Sequence, residues 1–201
     1  MGHKRISAYQ ISIVGILSAL IILQTFIPFM GNITIPGLPA LTIVHITVII
    51  GAVILGPKQG ALLGGIWGTM SLIRAYTQAT DPLTILLFRN PLIAIIPRIL
   101  VGLVAGLVFN YIAKTHRKDL VGVIKMSAAG VLGALTNTCL FVLFTWMMYI
   151  RQPGTVIPGS SGANLGYLLI VMVLGNAVVE MISAGVITPI LGQALIRFKR
   201  N

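Results

Sequence analysis

Acidic residues are nearly missing from this chain. Asp81, Asp119 and Glu180 are the only carboxylate side chains among 201 residues, against 14 lysines and arginines. So few acids argue against the carboxylate ladders that couple secondary transporters to protons or sodium. Charge of either sign is scarce, at 8% where soluble domains carry about 25%. A single cysteine, Cys139, excludes an intrachain disulfide and a metal-binding cysteine pair. It lies within an apolar run and reads as small core filler. No second histidine stands at metal-ligand spacing from His45, so no metal and no cofactor are expected. The phosphate-cradling G-x-x-x-x-G-K-[ST] loop is missing, which excludes ATP binding of that kind. No basic stripe with interleaved aromatics stands apart from the apolar runs, so the net charge of +11 does not indicate nucleic acid.

What fills the chain instead is hydrocarbon. Hydrophobic residues make up 57% and mean hydropathy is +1.01. Six apolar segments, about 8–29, 42–55, 60–76, 84–113, 123–149 and 165–196, predict an all-α integral membrane protein forming a single six-helix domain over 1–201. The first run is too long for a signal-peptide core and has no small-residue cleavage site, so it reads as a retained helix. The second is short for a span, where about 20 residues are typical.

Basic residues punctuate these runs unevenly. Lys4, Arg5, Lys58, Lys114, Arg117, Lys118, Lys125, Arg197, Lys199 and Arg200 fall on one side of a six-span arrangement, and Arg74, Arg89 and Arg151 on the other. The positive-inside rule then places both termini in the cytoplasm.

Arg98 breaks this pattern. It sits inside the fourth run, in Asn90-Pro-Leu-Ile-Ala-Ile-Ile-Pro-Arg98. An arginine at the centre of a membrane helix costs roughly 2.5–3.5 kcal/mol on insertion scales, so it needs a partner, a wet cavity or an anionic ligand. Glu180 is the only acid within an apolar run, and it lies four residues after Asn176, on the same helix face. A structural Arg98–Glu180 pair and a solute site are both open, and they are compatible. Asn137, Gln24 with Thr25, Asn90 and His45 complete the polar groups at similar depth. Trp67, mid-helix, suits packing against a neighbouring helix or a ligand, and packing is the expectation. Small residues spaced by four, Gly60, Gly64 and Gly68 in the third helix and Gly102 and Gly106 in the fourth, predict close helix packing.

Two other classes compete. Gly159-Ser160-Ser161-Gly162 matches the G-x-S-G of six-span rhomboid hydrolases, but it sits in a Pro/Gly loop with no base indicated near it. A stand-alone secondary transporter would have to couple through Glu180 alone.

The segments His45 to Gly60, Asn90 to Arg98 and Asn176-Ala-Val-Val-Glu180 resemble those of the substrate-binding S components of energy-coupling factor (ECF) vitamin transporters, the pantothenate branch most of all. The resemblance covers nearly the whole chain. It implies a vitamin-binding subunit rather than an enzyme, in a prokaryotic plasma membrane. Its partners would be the lipid bilayer, a shared transmembrane coupling subunit and two cytoplasmic ATPases. The helix-one docking motif A-x-x-x-A would here be Gly15-x-x-x-Ala19, and the 31–40 segment would cover the pocket. Pantothenate carries a carboxylate, two hydroxyls and an amide. Arg98 would take the carboxylate, and Asn90, Asn137, Asn176 and Glu180 the rest, with His45 and Gln24 nearby. Hydroxymethylpyrimidine or pyridoxine is the alternative, with Glu180 as its contact, and another vitamin such as folate a further one.

Overall fold

The apolar runs become helices, and the breaks fall where proline or glycine removes a donor or a side chain. A computed structural model describes residues 8–27, 30–33, 41–79, 82–112 and 120–198. Helix α1 covers Ala8–Phe26, α2 Val44–Leu55, α3 Pro57–Thr77, α4 Pro82–Phe88, α5 Pro91–Ala94, α6 Ile96–Ile112, α7 Leu120–Tyr149 and α8 Leu165–Phe198. A 3-10 turn, Pro153–Thr155, lies between the last two. Asp81, Asp119, the basic stretch 114–119 and most of the 31–40 segment lie outside the described residues.

Two features depart from the sequence reading. The fourth run, expected as one helix over 84–113, forms three pieces among the described residues. Residues Asn32–Ile33 (β1) and Leu41–Thr42 (β2) pair antiparallel, with Asn32 opposite Thr42, so the second helix starts at Val44 rather than residue 42. Among the described residues the fold is otherwise helical, and four stretches, Ala8–Phe26, Pro91–Tyr111, Leu120–Tyr149 and Leu165–Leu195, are long and apolar enough to cross a membrane.

Helix α2 is the axis of the packing. Its 12 residues are all buried, and it touches α1, α3, α6, α7 and α8. A helix that is hydrophobic all round belongs in the interior, and at 1.5 Å per residue it spans about 18 Å. Gly56, at φ 105°, makes the turn out of it. That left-handed value suits glycine, and Pro57 follows at the first helical position of α3.

Helices α3 and α6 pack backbone to backbone. A Cβ on Gly64 would collide with the Arg98 carbonyl, and one on Gly102 with the Gly60 backbone. A Cβ on Gly106 would stand 2.5 Å from Pro57 Cα. These small faces do what their spacing predicts, and they draw α3 alongside Arg98. The outer faces of α1, α7 and α8 expose large apolar side chains, among them Ile16, Leu143 and Ile182, as a hydrocarbon surround requires. Cys139 lies on such an outward face of α7, not in the core as the sequence reading had it, because neighbouring helix positions turn by about 100°.

Candidate substrate-binding site

The break between α5 and α6 builds the floor of a cavity. In a continuous helix, residue 97 would donate its N–H to the carbonyl of Ile93; proline has no such N–H. Arg98 takes its place: one terminal guanidinium nitrogen donates to Ile93 O at 2.6 Å. The same guanidinium lies between two rings, with Cζ 5.1 Å from the Trp67 centroid and 4.8 Å from that of Phe88. Cation–π contact of this kind strengthens where water is excluded, and Arg98 is only 5% exposed. Its Nε remains buried without a hydrogen-bond partner.

Arg98 looks into a cavity of about 480 Å³, within the range of about 300–1,000 Å³ typical of small-molecule sites. Helix α3 supplies Trp67, Ser71, Arg74 and Gln78, α7 supplies Asn137, Thr138 and Phe141, and α8 supplies Met172, Asn176 and Glu180. Helix α4 closes one side with Leu83, Thr84, Leu87 and Phe88, while Thr25 and Thr42 enter from α1 and β2. The cavity thus sits at the end of the bundle where α3 finishes and α8 begins.

Glu180 holds more than the cavity wall. One of its carboxylate oxygens accepts the Thr42 backbone N–H at 3.2 Å, which ties β2 to α8. It also interacts electrostatically with Arg98 across the floor. The carboxamide oxygen of Asn137 is buried with no donor directed at it. Arg98 and Asn137 both line the cavity, and Arg98 Nε and Asn137 Oδ1 are buried without a hydrogen-bond partner among the described residues. A cavity lined by a guanidinium, carboxamides and a carboxylate suits a solute that carries both hydrogen-bond acceptors and donors.

Of the residues singled out from the sequence, Arg98, Asn137, Asn176 and Glu180 come together in this lining. Three others stand elsewhere. Asn90 caps α5, its side chain accepting the Leu92 N–H at 3.0 Å and donating to Met148 Sδ. Gln24 accepts the Thr47 hydroxyl at 2.9 Å, which joins α1 to α2. His45 is fully buried in the first turn of α2, with neither ring nitrogen hydrogen-bonded. Gly15 and Ala19 lie exposed on α1, and a Cβ on Gly15 would meet nothing within 4 Å.

The lining also includes side chains the sequence reading passed over. Arg74, counted from the sequence only as an outer-side topology signal near the end of the third helix, lies seven residues after Trp67, on the same face of α3. Ser71 and Gln78 extend that stripe. Trp67, expected to pack, both packs under Arg98 and lines the cavity. The rhomboid-like Ser160-Ser161 pair is tied into its turn. Ser160 Oγ donates to Ile157 O at 2.7 Å and the Ser161 N–H donates to Asn164 Oδ1 at 2.7 Å.

Known proteins match this description. The family model for the ECF transporter, substrate-specific component, matches residues 9–192. Pantothenate transporter PanT of Leuconostoc mesenteroides subsp. mesenteroides is 36% identical over 185 residues, covering 89% of this chain and 87% of the relative. Pantothenic acid transporter PanT of Lactococcus lactis subsp. cremoris is 31% identical over 213 residues, covering 98% of this chain and 99% of the relative. Proteins of this family are the substrate-binding subunits of transporters rather than enzymes. The helical fold, the polar cavity within it and the match along nearly its full length place the chain in the family of ECF transporter substrate-specific components.

Proposed function

We propose that this chain binds pantothenate and takes it up as the S component of an ECF-type importer. The observation that carries the reading is the lining that brings the buried Arg98 guanidinium and the Asn137 carboxamide to one cavity. A carboxylate satisfies the first, and a hydroxyl or amide N–H satisfies the second. Pantothenate carries all three groups, and both named relatives are pantothenate transporters. Asn176 and the Glu180 carboxylate, both in the lining, are suited to the remaining hydroxyls.

Six spans with both termini in the cytoplasm follow from the distribution of Lys and Arg, and the cavity end of the bundle then faces outward. The chain acts as a single membrane unit in a prokaryotic plasma membrane. A transmembrane coupling subunit and two cytoplasmic ATPases power it, since its own sequence holds no P-loop. Gly15 and Ala19 on the outer face of α1 are the docking contact for that coupling subunit.

Arg98→Ala tests the carboxylate assignment. Losing one partner of a buried charged contact costs about 2–5 kcal/mol, so pantothenate affinity should fall roughly 30-fold or more. Arg98→Lys keeps a cation for both the ligand and Ile93 O and should retain part of the affinity. Isothermal titration of the purified variants decides the matter, and wild-type affinity in Arg98→Ala would refute the assignment.

A further inference from the structure

The two rings that meet the Arg98 guanidinium come from different elements. Trp67 belongs to α3, which packs along α6 through its glycines. Phe88 is the last residue of α4, a helix of only seven residues. Leu87 anchors that helix in a buried cluster with Ile93 and Leu169, whereas Phe88 is partly buried and lines the cavity. Two bonds flank Phe88 in the chain and fix α4 on its neighbours. The Tyr149 hydroxyl of α7 donates to Leu86 O at 3.0 Å, and Arg89 Nε donates to Ala75 O of α3 at 3.2 Å. The Phe88 ring held between them lies 4.8 Å from Arg98 Cζ. It also stacks on Phe141 of α7, with centroids 5.8 Å apart and planes inclined by 23°. A chain of contacts, Phe141 to Phe88 to Arg98 to Trp67, therefore joins α7, α4, α6 and α3.

An aromatic face attracts a cation through its quadrupole. It steadies the guanidinium without bringing a carboxylate that would compete with the ligand's own. The Ile93 carbonyl holds one terminal nitrogen of Arg98, and the rings hold the body of the group. An arginine ordered in advance loses less freedom when its ligand arrives, and its planar fork matches a carboxylate only in a defined orientation. We propose that Phe88 is a positioning residue for anion recognition: its ring, steadied by Phe141, aims the Arg98 guanidinium and so sets the preference for a carboxylate over a neutral group. The inference rests on the pantothenate reading above, in which Arg98 holds the carboxylate.

Isothermal titration with pantothenate and with pantothenol, in which an alcohol replaces the carboxylate, tests the role. Phe88→Leu keeps an apolar side chain and removes the ring. Pantothenate affinity should fall roughly three- to tenfold, pantothenol should bind as it does to the parent, and Phe88→Tyr should restore the preference. Pentafluorophenylalanine at position 88 keeps the shape of the ring and reverses its quadrupole, so it should lower the preference in a protein whose packing is unchanged. In an Arg98→Ala background, Phe88→Leu should leave the ratio of the two affinities where it was, because the residue acts through Arg98. Equal weakening of both ligands would overturn the proposal and reduce Phe88 to a cavity wall. A parent-like preference in the fluorinated protein would overturn it too, as would a further loss of preference in the Arg98→Ala background. A parent protein that binds no pantothenate, or binds pantothenol equally well, overturns the carboxylate reading and this one together. A parent that prefers pantothenate through Arg98, with every Phe88 variant keeping that preference, overturns this one alone.

Discussion

Asn137 illustrates the conflict between stability and binding at the scale of one side chain. Its buried carboxamide oxygen accepts no hydrogen bond from the described residues of the protein, and an unsatisfied buried acceptor costs about 1–3 kcal/mol. Replacing it with alanine removes that cost along with the ligand contact. Asn137→Ala should therefore melt at the same temperature as the parent or a few degrees higher, while pantothenate binds about tenfold more weakly, since a hydrogen bond of about 1.4 kcal/mol is worth a factor of ten. Thermal unfolding and titration on the same preparation test both halves; a large fall in melting temperature would show that Asn137 supports the fold instead. The sequence reveals this residue because an amide deep in an apolar run is conspicuous. It does not separate Asn137 from Asn90, which is equally conspicuous but precedes a proline, and Asn-Pro is also how a helix N-cap is written. Arg74 was hidden for the opposite reason. Near a helix end a cation reads as a topology signal, and only its spacing from Trp67 places it in the cavity.

At the scale of elements, the break between α5 and α6 couples backbone to ligand chemistry. Pro97 leaves the Ile93 carbonyl open, and Arg98 answers it. Pro97→Ala would return a backbone donor to that carbonyl, favour one continuous helix through residues 91–112, and release the guanidinium from its tether. The expected outcome is an equally or more stable protein with weaker pantothenate binding, because Arg98 would have to be ordered again on each binding event. Stability by thermal unfolding and affinity by titration separate the two effects; unchanged affinity would show that the tether is not needed to aim Arg98. The helices themselves were legible, since hydropathy and length suffice to draw apolar cylinders. Pro91 and Pro97 are where a helix can break, but the apolar run that contains them reads as one helix and not as three pieces. Nothing in the sequence announced the β1–β2 ladder. Two-residue strands are too short to show an alternating pattern, and this pair is anchored from outside by the bond from Thr42 to Glu180.

At the scale of the whole molecule, binding and transport should be separable because they use different surfaces. The cavity lies between α3, α4, α7 and α8, while Gly15 and Ala19 are exposed on α1, a helix with little of its surface buried in this chain. Open space beside Gly15 and the small side chain of Ala19 leave a flat strip on which another membrane helix can approach closely, and contacts between such strips depend on van der Waals fit. A bulky substitution there spoils the fit with a partner without reaching the cavity. Ala19→Trp should bind pantothenate with parent affinity, yet fail to accumulate it in vesicles that contain the coupling subunit and both ATPases. Parent-level uptake by the variant would move the docking contact away from this strip. Loss of binding would mean that Ala19 belongs to the interior of the bundle, because a tryptophan facing lipid or a partner cannot disturb side chains on the far side of α2.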